Sequence, residues 1–153
     1  MEEQPHNQRD SQGRKQGYWE ETEESGPIKG HIIKGHYVDG LREGLWKWYR
    51  EDRVTLGVKG HYLNGKRYGL WEVYYEDGVT LWIKGHCLND KVHGLWQSYY
   101  DDGTLEEEGH YLDDKQHGLW KEYHRDGTII ESPFYIKGTP HSHSNILPWL
   151  NLI

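Results

Sequence analysis

Short runs in which apolar and polar residues alternate cover most of this sequence. In "LWEVYY", Trp71 and Val73 fall on one face of a strand and Leu70 and Glu72 on the other, because successive strand side chains point to opposite faces. Asp-Gly, Asn-Gly or similar dipeptides separate the runs and favour tight β-turns. The pattern predicts an all-β fold: an elongated single antiparallel meander of stacked β-hairpins, with about ten strands.

The runs belong to a repeated unit. The tripeptide GLW begins at residues 44, 69, 94 and 118, so the period is 24 or 25 residues. A tyrosine follows each of these tryptophans by three positions, and a turn glycine follows by seven, except that Arg53 takes the place of the glycine once. Such a period indicates a repeat architecture. At Arg53 we expect either a strained turn or a turn of another type, because the position requires a positive φ.

The repeat sets the predicted boundaries. Residues 13–138 hold five units, of which the first ("GRKQGYW") and the last are degenerate, and the doubled "IKGHIIKGH" leaves the register of the first two units open. Pro133 stands where the last unit should have a glycine, and because proline lacks an N–H it predicts an edge strand. Residues 1–12 are predicted to be a disordered polar tail, and residues 139–153 a C-terminal cap or tail.

A second glycine recurs in four return strands, at residues 35, 60, 85 and 109. Glycine weakens a strand unless another group covers the bare backbone. We therefore expect each repeat tryptophan to lie across a glycine of an adjacent strand. Equivalent tryptophans would then stack roughly 9 to 10 Å apart, which is the spacing of every second strand.

The amino-acid composition restricts the possible core residues and classes of partner. The chain has 8 Trp and 12 Tyr but no alanine, so aromatic rings must build the core. The net charge of −7 argues against nucleic acid and membrane partners and suits a basic partner. We expect a cytoplasmic protein, because no signal-peptide pattern or ~20-residue apolar span occurs and Cys87 is the single cysteine.

The units read G-x-W-x-x-Y-x-x-D-G followed by G-x-Y-x-N-G-K-x-x-G, and they resemble the variant form of the MORN repeat over residues 13–138. The resemblance implies a twisted sheet of stacked hairpins that binds or scaffolds rather than catalyses. Proteins similar to this chain include antitoxins of bacterial toxin–antitoxin pairs, and similar arrays occur in large DNA viruses. The architecture hosts many partners, so the resemblance does not identify one.

No metal, cofactor or catalytic site is predicted. The histidines that share one repeat position lie too far apart across a regular sheet for a single zinc ion. Two closer pairs are expected to meet across strands: His86 with His93, and His110 with His117. Turn chemistry explains the recurrent acids of the turns, whereas Glu106–Glu108 form either a solvated face or an anionic surface for a basic partner.

Positions that differ between copies are freer to recognise a partner than positions that build the array. On the tryptophan face such positions hold Trp, Tyr and Arg, the commonest hot-spot residues of interfaces. The candidate protein-binding patch is Trp48, Arg50, Tyr75, Trp82 and Tyr100. The alternative is that these side chains only cover the sheet or its cap.

The leading hypothesis is a non-enzymatic repeat protein that binds a basic protein through one acidic, aromatic-rich face of its sheet. Its most concrete form is an antitoxin that covers the active site of a toxin. One alternative is a module that binds a choline-like or carbohydrate ligand, although choline-binding repeats have a period nearer twenty residues. Another is a lipid or membrane-junction scaffold, which the negative charge disfavours. The oligomeric state stays open, because a sheet of this kind has edges that can pair.

Overall fold

The computed structural model describes residues 7–24 and 28–141, and every regular element among them is a β-strand. The 13 strands form one open antiparallel meander, which confirms the predicted fold class. The strands are β1 (Gln8–Arg9), β2 (Lys15–Thr22), β3 (Ile32–Val38), β4 (Leu41–Tyr49), β5 (Leu56–Leu63), β6 (Lys66–Tyr74), β7 (Leu81–Leu88), β8 (Lys91–Tyr99), β9 (Leu105–Leu112), β10 (Lys115–Tyr123), β11 (Ile129–Glu131), β12 (Phe134–Ile136) and β13 (Thr139–His141).

The strands beyond the predicted ten lie at the two ends of the array. Strand β1 falls in the predicted tail and pairs with β2. The doubled segment does not disturb the first units, since Trp19 pairs with Gly35. Predictions for residues 1–6, and for the cap beyond His141, lie outside the described residues.

Pro133 divides the return strand of the last unit. Strands β11 and β12 lie on either side of it, and both pair with β10. The prediction of an edge strand here holds for β11, whose pairing within the described residues is with β10 alone, but not for β12, whose outer side pairs with β13. Proline only interrupts the ladder locally, since its carbonyl still accepts a hydrogen bond of 2.8 Å from the N–H of Trp120.

Each hairpin contains an irregularity at the GLW tripeptide. On β6, Gly69 and Leu70 have no register partner on β5, because the pairing shifts between Tyr68 and Trp71. Gly69 has a φ of 66°, a left-handed conformation that glycine adopts without a steric penalty. This shift brings Trp71 opposite Gly60.

A second irregularity lies where one hairpin joins the next. Trp82 is one extra residue on β7, because Val73 pairs with Ile83 but Tyr74 pairs with Leu81. We call this the bulge position, and in the other units it holds Gly57, Glu106 and Ile130. The bulge breaks the alternation of faces, so that Trp82 and Ile83 line the same cleft.

The tryptophan face forms the core. Trp46 and Trp120 are 0% exposed although the fold has a single sheet. A Cβ added to Gly35 would overlap the ring of Trp46, and one added to Gly109 would overlap that of Trp120. Gly60 and Trp71 are related in the same way. The predicted packing of tryptophan rings on bare backbone is therefore confirmed.

Tyrosine rings separate successive tryptophans. Tyr37 contacts Trp19 and Trp46 edge-on, with ring centroids 5.9 and 4.9 Å apart. Tyr62 contacts Trp46 and Trp71 in the same manner, at 6.1 and 5.3 Å. The result is an alternating ladder of Trp and Tyr that runs across the strands, which we call the aromatic ladder.

The aromatic ladder is interrupted in the third unit. It resumes at Trp96 and continues through Tyr111 and Trp120 to Tyr135. Between its two parts, Cys87 occupies the tyrosine position. The ring centroids of Trp96 and Trp120 are 5.6 Å apart, less than the expected 9 to 10 Å. Strand twist and bulges bend the sheet, which accounts for this convergence.

The turn after each repeat tyrosine begins with the same backbone hydrogen bond, although the connection is one residue longer in the two units that contain Val54 and Val79. The residue at the glycine position donates its N–H three residues back in every unit, from Arg53, Gly78, Gly103 and Gly127. The preceding aspartate accepts hydrogen bonds from a nearby backbone N–H and threonine hydroxyl, as Asp102 does from Thr104. These bonds lower the pKa of Asp102 to about 2. Arg53, with a φ of 66°, is therefore a strained member of the same turn.

Candidate functional site

The predicted patch lies along two adjoining clefts on the tryptophan face. Trp48, Arg50, Tyr75 and Trp82 line the first, of about 430 Å³, which we call the arginine cleft. Tyr100 lines the second, of about 610 Å³, together with Glu106, Glu107 and Glu122, and we call this the glutamate cleft. Trp82 borders both and is 44% exposed. The structure thus brings all five predicted residues to one region.

Three patch residues also tie the repeats together. The hydroxyl of Tyr75 donates to the carbonyl of Tyr99 at 2.6 Å, and that of Tyr100 donates to the carbonyl of Tyr123 at 2.8 Å. Arg50 occupies the same repeat position, and its Nη2 donates to a tyrosine carbonyl of the next unit at 3.3 Å. These side chains therefore have a structural role as well as an exposed location.

Trp48 is mainly a core residue. It is only 8% exposed, and its ring lies 5.4 Å from that of Trp71 and 6.3 Å from those of Trp46 and Tyr62. Within the predicted patch, Trp82 is the large apolar side chain with the most exposed surface.

The arginine cleft exists because the bulge position of the second unit is Gly57. In the next unit this position holds Trp82, whose ring packs 5.9 Å from that of Tyr75. At the base of the cleft, Arg50 Nε and His31 Nδ1 are buried without a hydrogen-bond partner among the described residues. Arg50 also has no ion pair within residues 7–24 and 28–141.

The glutamate cleft brings together three carboxylates and several aromatic rings. Ser98, which is 5% exposed, donates from Oγ to Glu106 at 3.3 Å. Glu107 pairs in register with Ser98 on one side and Glu122 on the other. Burial, followed by repulsion from Glu122 and Glu106, raises the pKa of Glu107.

These carboxylates have no neutralising cation in the part of the chain that the structure describes. None of Glu106, Glu107 and Glu122 forms an ion pair there. By contrast, Glu108 lies on the opposite face, accepts from the hydroxyl of Tyr123 at 2.9 Å and lies 3.9 Å from Lys121. The Glu106–Glu108 run is therefore split, with two acids directed into the cleft.

Two neighbouring acids of β2, Glu20 and Glu21, are by contrast neutralised. Glu20 forms ion pairs with Lys34 at 3.2 Å and Arg53 at 2.5 Å. Glu21 pairs with Lys15 and accepts from the hydroxyl of Tyr37 at 2.9 Å. Glu20 and Glu21 therefore offer less unpaired negative charge than the acids of the glutamate cleft.

Sequence reasoning missed Gly57 and His31 of the arginine cleft, and it named Glu106 and Glu107 only as part of the Glu106–Glu108 run. Gly57 is a bulge residue and Glu107 follows one, and strict alternation does not predict bulges. His31 precedes β3, outside the repeated positions. The available signal was the bulge position itself, since aligning the copies shows that it holds Gly, Trp, Glu and Ile in successive units. Such variation is typical of a position whose side chain contacts a partner and is not required by the fold.

Groups that would indicate metal chemistry are not assembled. Among residues 7–24 and 28–141, no three His, Cys, Asp or Glu side chains are grouped to hold a metal ion. His110 and His117 pair in register, as expected, whereas the register of β7 and β8 shifts between Gly85 and Cys87 and does not pair His86 with His93. Cys87 is buried, and burial raises the pKa of its thiol. The described residues also contain no helix long and apolar enough to cross a membrane.

Comparison with known proteins supports the repeat interpretation. Residues 92–113 and 116–135 match the family described as MORN repeat variant. These segments contain Ser98, Glu106, Glu107 and Glu122 of the glutamate cleft. The search of the curated proteins found no match. The family match supports a MORN-type repeat array, an architecture that is generally a non-enzymatic module.

Proposed function

We propose that this chain is a non-enzymatic module that binds another protein through its tryptophan face, and that the partner places a cationic side chain in the glutamate cleft. The repeat family and the open antiparallel sheet suit a binding module. The cleft supplies the chemistry that selects a basic partner.

The observation that carries this proposal is a group of three carboxylates that lie among aromatic rings and form no ion pair within residues 7–24 and 28–141. Like charges held close together disfavour their charged forms, which agrees with the raised pKa of Glu107. A guanidinium or ammonium group relieves that repulsion and also interacts with aromatic ring faces. Trp82, Trp96 and Tyr100 border the cleft and supply such rings.

A more specific form of the proposal is an antitoxin whose acidic face covers the basic active site of a toxin. The resemblance to antitoxins and the net charge of −7 support it. Expression of the neighbouring genes tests this form: a neighbour that is toxic alone and harmless with this chain is expected. A neighbourhood with no toxic gene removes the antitoxin form but leaves the general proposal standing.

Affinity capture from the native organism tests the general proposal. The partner should remain bound to the wild-type chain and should lose about tenfold or more in affinity for the double variant Glu107→Gln/Glu122→Gln, because the cation loses both carboxylates. The control variant Glu43→Gln/Asp113→Asn removes the same charge from turn-proximal positions outside the cleft. It should bind like wild type.

Salt dependence supplies a second measurement on the same complex. Binding should weaken with ionic strength in the wild type and in the control variant, since screening reduces interactions between charges. The proposal is contradicted if the captured protein binds both double variants equally well.

A further inference from the structure

The next unit of this molecule shows which kind of group fits a site like the arginine cleft. At the bulge position of the third unit, the ring of Trp82 packs 5.9 Å from the ring of Tyr75. One unit earlier the same two positions hold Gly57 and Arg50. The cleft is therefore the place where an aromatic ring of the array is absent, and its wall is a guanidinium instead of a phenol.

The polar atoms of the cleft specify the rest of the occupant. Among the residues that the structure describes, the buried N–H of Arg50 Nε has no acceptor and the buried His31 Nδ1 has no partner. A buried donor without an acceptor costs free energy that a ligand oxygen would recover. A cation with no ion pair in the described residues also attracts the electron-rich face of an aromatic ring. Charge complementarity thus favours a ring that has a carbonyl oxygen beside it.

We propose that the arginine cleft receives an aromatic side chain of the partner protein, stacked on Arg50 over Gly57, with the backbone carbonyl next to that side chain accepting from Arg50 Nε. This inference rests on the proposed protein-binding function and adds a second anchor to it. The glutamate cleft takes a cation on one side of Trp82, and the arginine cleft takes a ring on the other.

The chain itself permits a decisive substitution. Gly57 does not have a positive φ, and a Cβ there would lie 3.6 Å from the carbonyl oxygen of Trp48 and 3.9 Å from Arg50 Cγ, which are ordinary contacts. Gly57→Trp should therefore fold and fill the cleft with its own indole, as Trp82 does in the next unit. Val79→Trp adds the same ring at a turn residue that is 80% exposed, and it serves as the control.

The test uses N-acetyl-L-tryptophanamide as probe and N-acetyl-L-leucinamide as its aliphatic counterpart, titrated into the full chain and followed by amide NMR shifts. The wild type should bind the tryptophan probe with a dissociation constant on the order of 1 mM, with saturable shifts at Gly57, Val58 and Tyr75. Binding should be about fivefold weaker for the leucine probe, because it has no ring for Arg50.

The variants then locate the site. Gly57→Trp should abolish the saturable shifts, Val79→Trp should keep them, and Arg50→Gln should reduce the preference for the tryptophan probe. The wild-type comparison of the two probes does not depend on any variant folding.

Several results would overturn the inference. Absence of saturable shifts in the wild type rejects the cleft as a site, even if the glutamate variants lose their captured partner. Equal affinity for the two probes rejects the aromatic occupant. Concentration-dependent self-association of the wild type that Gly57→Trp abolishes, measured by sedimentation, identifies a second copy of this chain as the occupant instead.

Discussion

Arg53 shows how a single residue departs from the repeat without changing its structure. It has a φ of 66°, close to the 68° of Gly78 at the same turn position. A side chain in this left-handed conformation costs roughly 1 to 2 kcal/mol. Its ion pair with Glu20 offsets part of that cost, but arginine is 61% exposed there and such surface pairs contribute at most about 1 kcal/mol.

Arg53→Gly should therefore increase the free energy of unfolding by about 0.5 to 1 kcal/mol, measured by urea denaturation. Arg53→Ala is the matched control, because it removes the same ion pair and keeps the positive φ. It should be neutral or destabilising. A glycine variant no more stable than the alanine variant would show that the turn is not strained.

Glu107 makes the stability of the fold depend on pH. Its pKa is raised in the folded state by burial and by Glu122 and Glu106, so holding its charge destabilises the fold at neutral pH. As pH falls through the folded pKa, Glu107 takes up a proton and the destabilisation disappears. Below about pH 4, near the pKa of a glutamate in the unfolded chain, Glu107 no longer changes the free energy of unfolding.

Glu107→Gln should thus melt at a higher temperature than the wild type at pH 7, and the difference should vanish as pH approaches 4. Glu108→Gln removes the same charge from the opposite face, where the carboxylate accepts from Tyr123. This variant should be less stable than the wild type at pH 7. Thermal melts of the three proteins across this range make the comparison.

At the scale of the element, the contact between tryptophan and glycine determines the hairpin. A Cβ on Gly109 would overlap the ring of the fully buried Trp120, whereas one on Gly85 would lie 2.9 Å from the single edge atom Cδ1 of Trp96. Gly109→Ala should destabilise by about 3 kcal/mol, at the upper end of the range for overpacking. Gly85→Ala should cost about 1 kcal/mol.

Urea denaturation of these two alanine variants tests the packing directly. Strand propensity and the loss of a glycine are the same in both, so any difference reports the position of the indole. Equal losses of stability would mean that the face-on ring in β9–β10 has no special role.

The hairpins could be predicted from sequence, but the clefts could not. GLW, the turn dipeptides and the second glycine each depend on a local backbone requirement, so their spacing predicts paired strands and rings over glycine. The bulge position has no such signature, because Gly57, Trp82, Glu106 and Ile130 share no side-chain property. Without the bulges, the sequence brings Trp82 and Tyr100 near one another but does not place Gly57 or Glu107 beside them.

At the scale of the whole molecule, the aromatic ladder joins the units, and Cys87 interrupts it. In a repeat array each unit is stabilised by its contacts with its neighbours. A weak contact between two units therefore lowers the coupling between the parts of the array on either side of it. On one side, Tyr62 lies between Trp46 and Trp71 and also accepts a hydrogen bond of 3.3 Å from Arg42. In the third unit the corresponding arginine is Arg67, and the tyrosine that would accept from it is absent.

Cys87→Tyr should restore the ladder between Trp71 and Trp96 and raise the free energy of unfolding by about 1 kcal/mol, as expected for an added aromatic pair. It should also make hydrogen-exchange protection more uniform on the two sides of β7, because the halves become coupled. Cys87→Val is the control, since it removes the thiol without adding a ring. It should neither raise the free energy of unfolding nor make the hydrogen-exchange protection more uniform. The tyrosine variant could instead be destabilised by the 1 to 3 kcal/mol typical of overpacking. That result would show that the structure packs closely around Cys87 and leaves no space for a tyrosine ring.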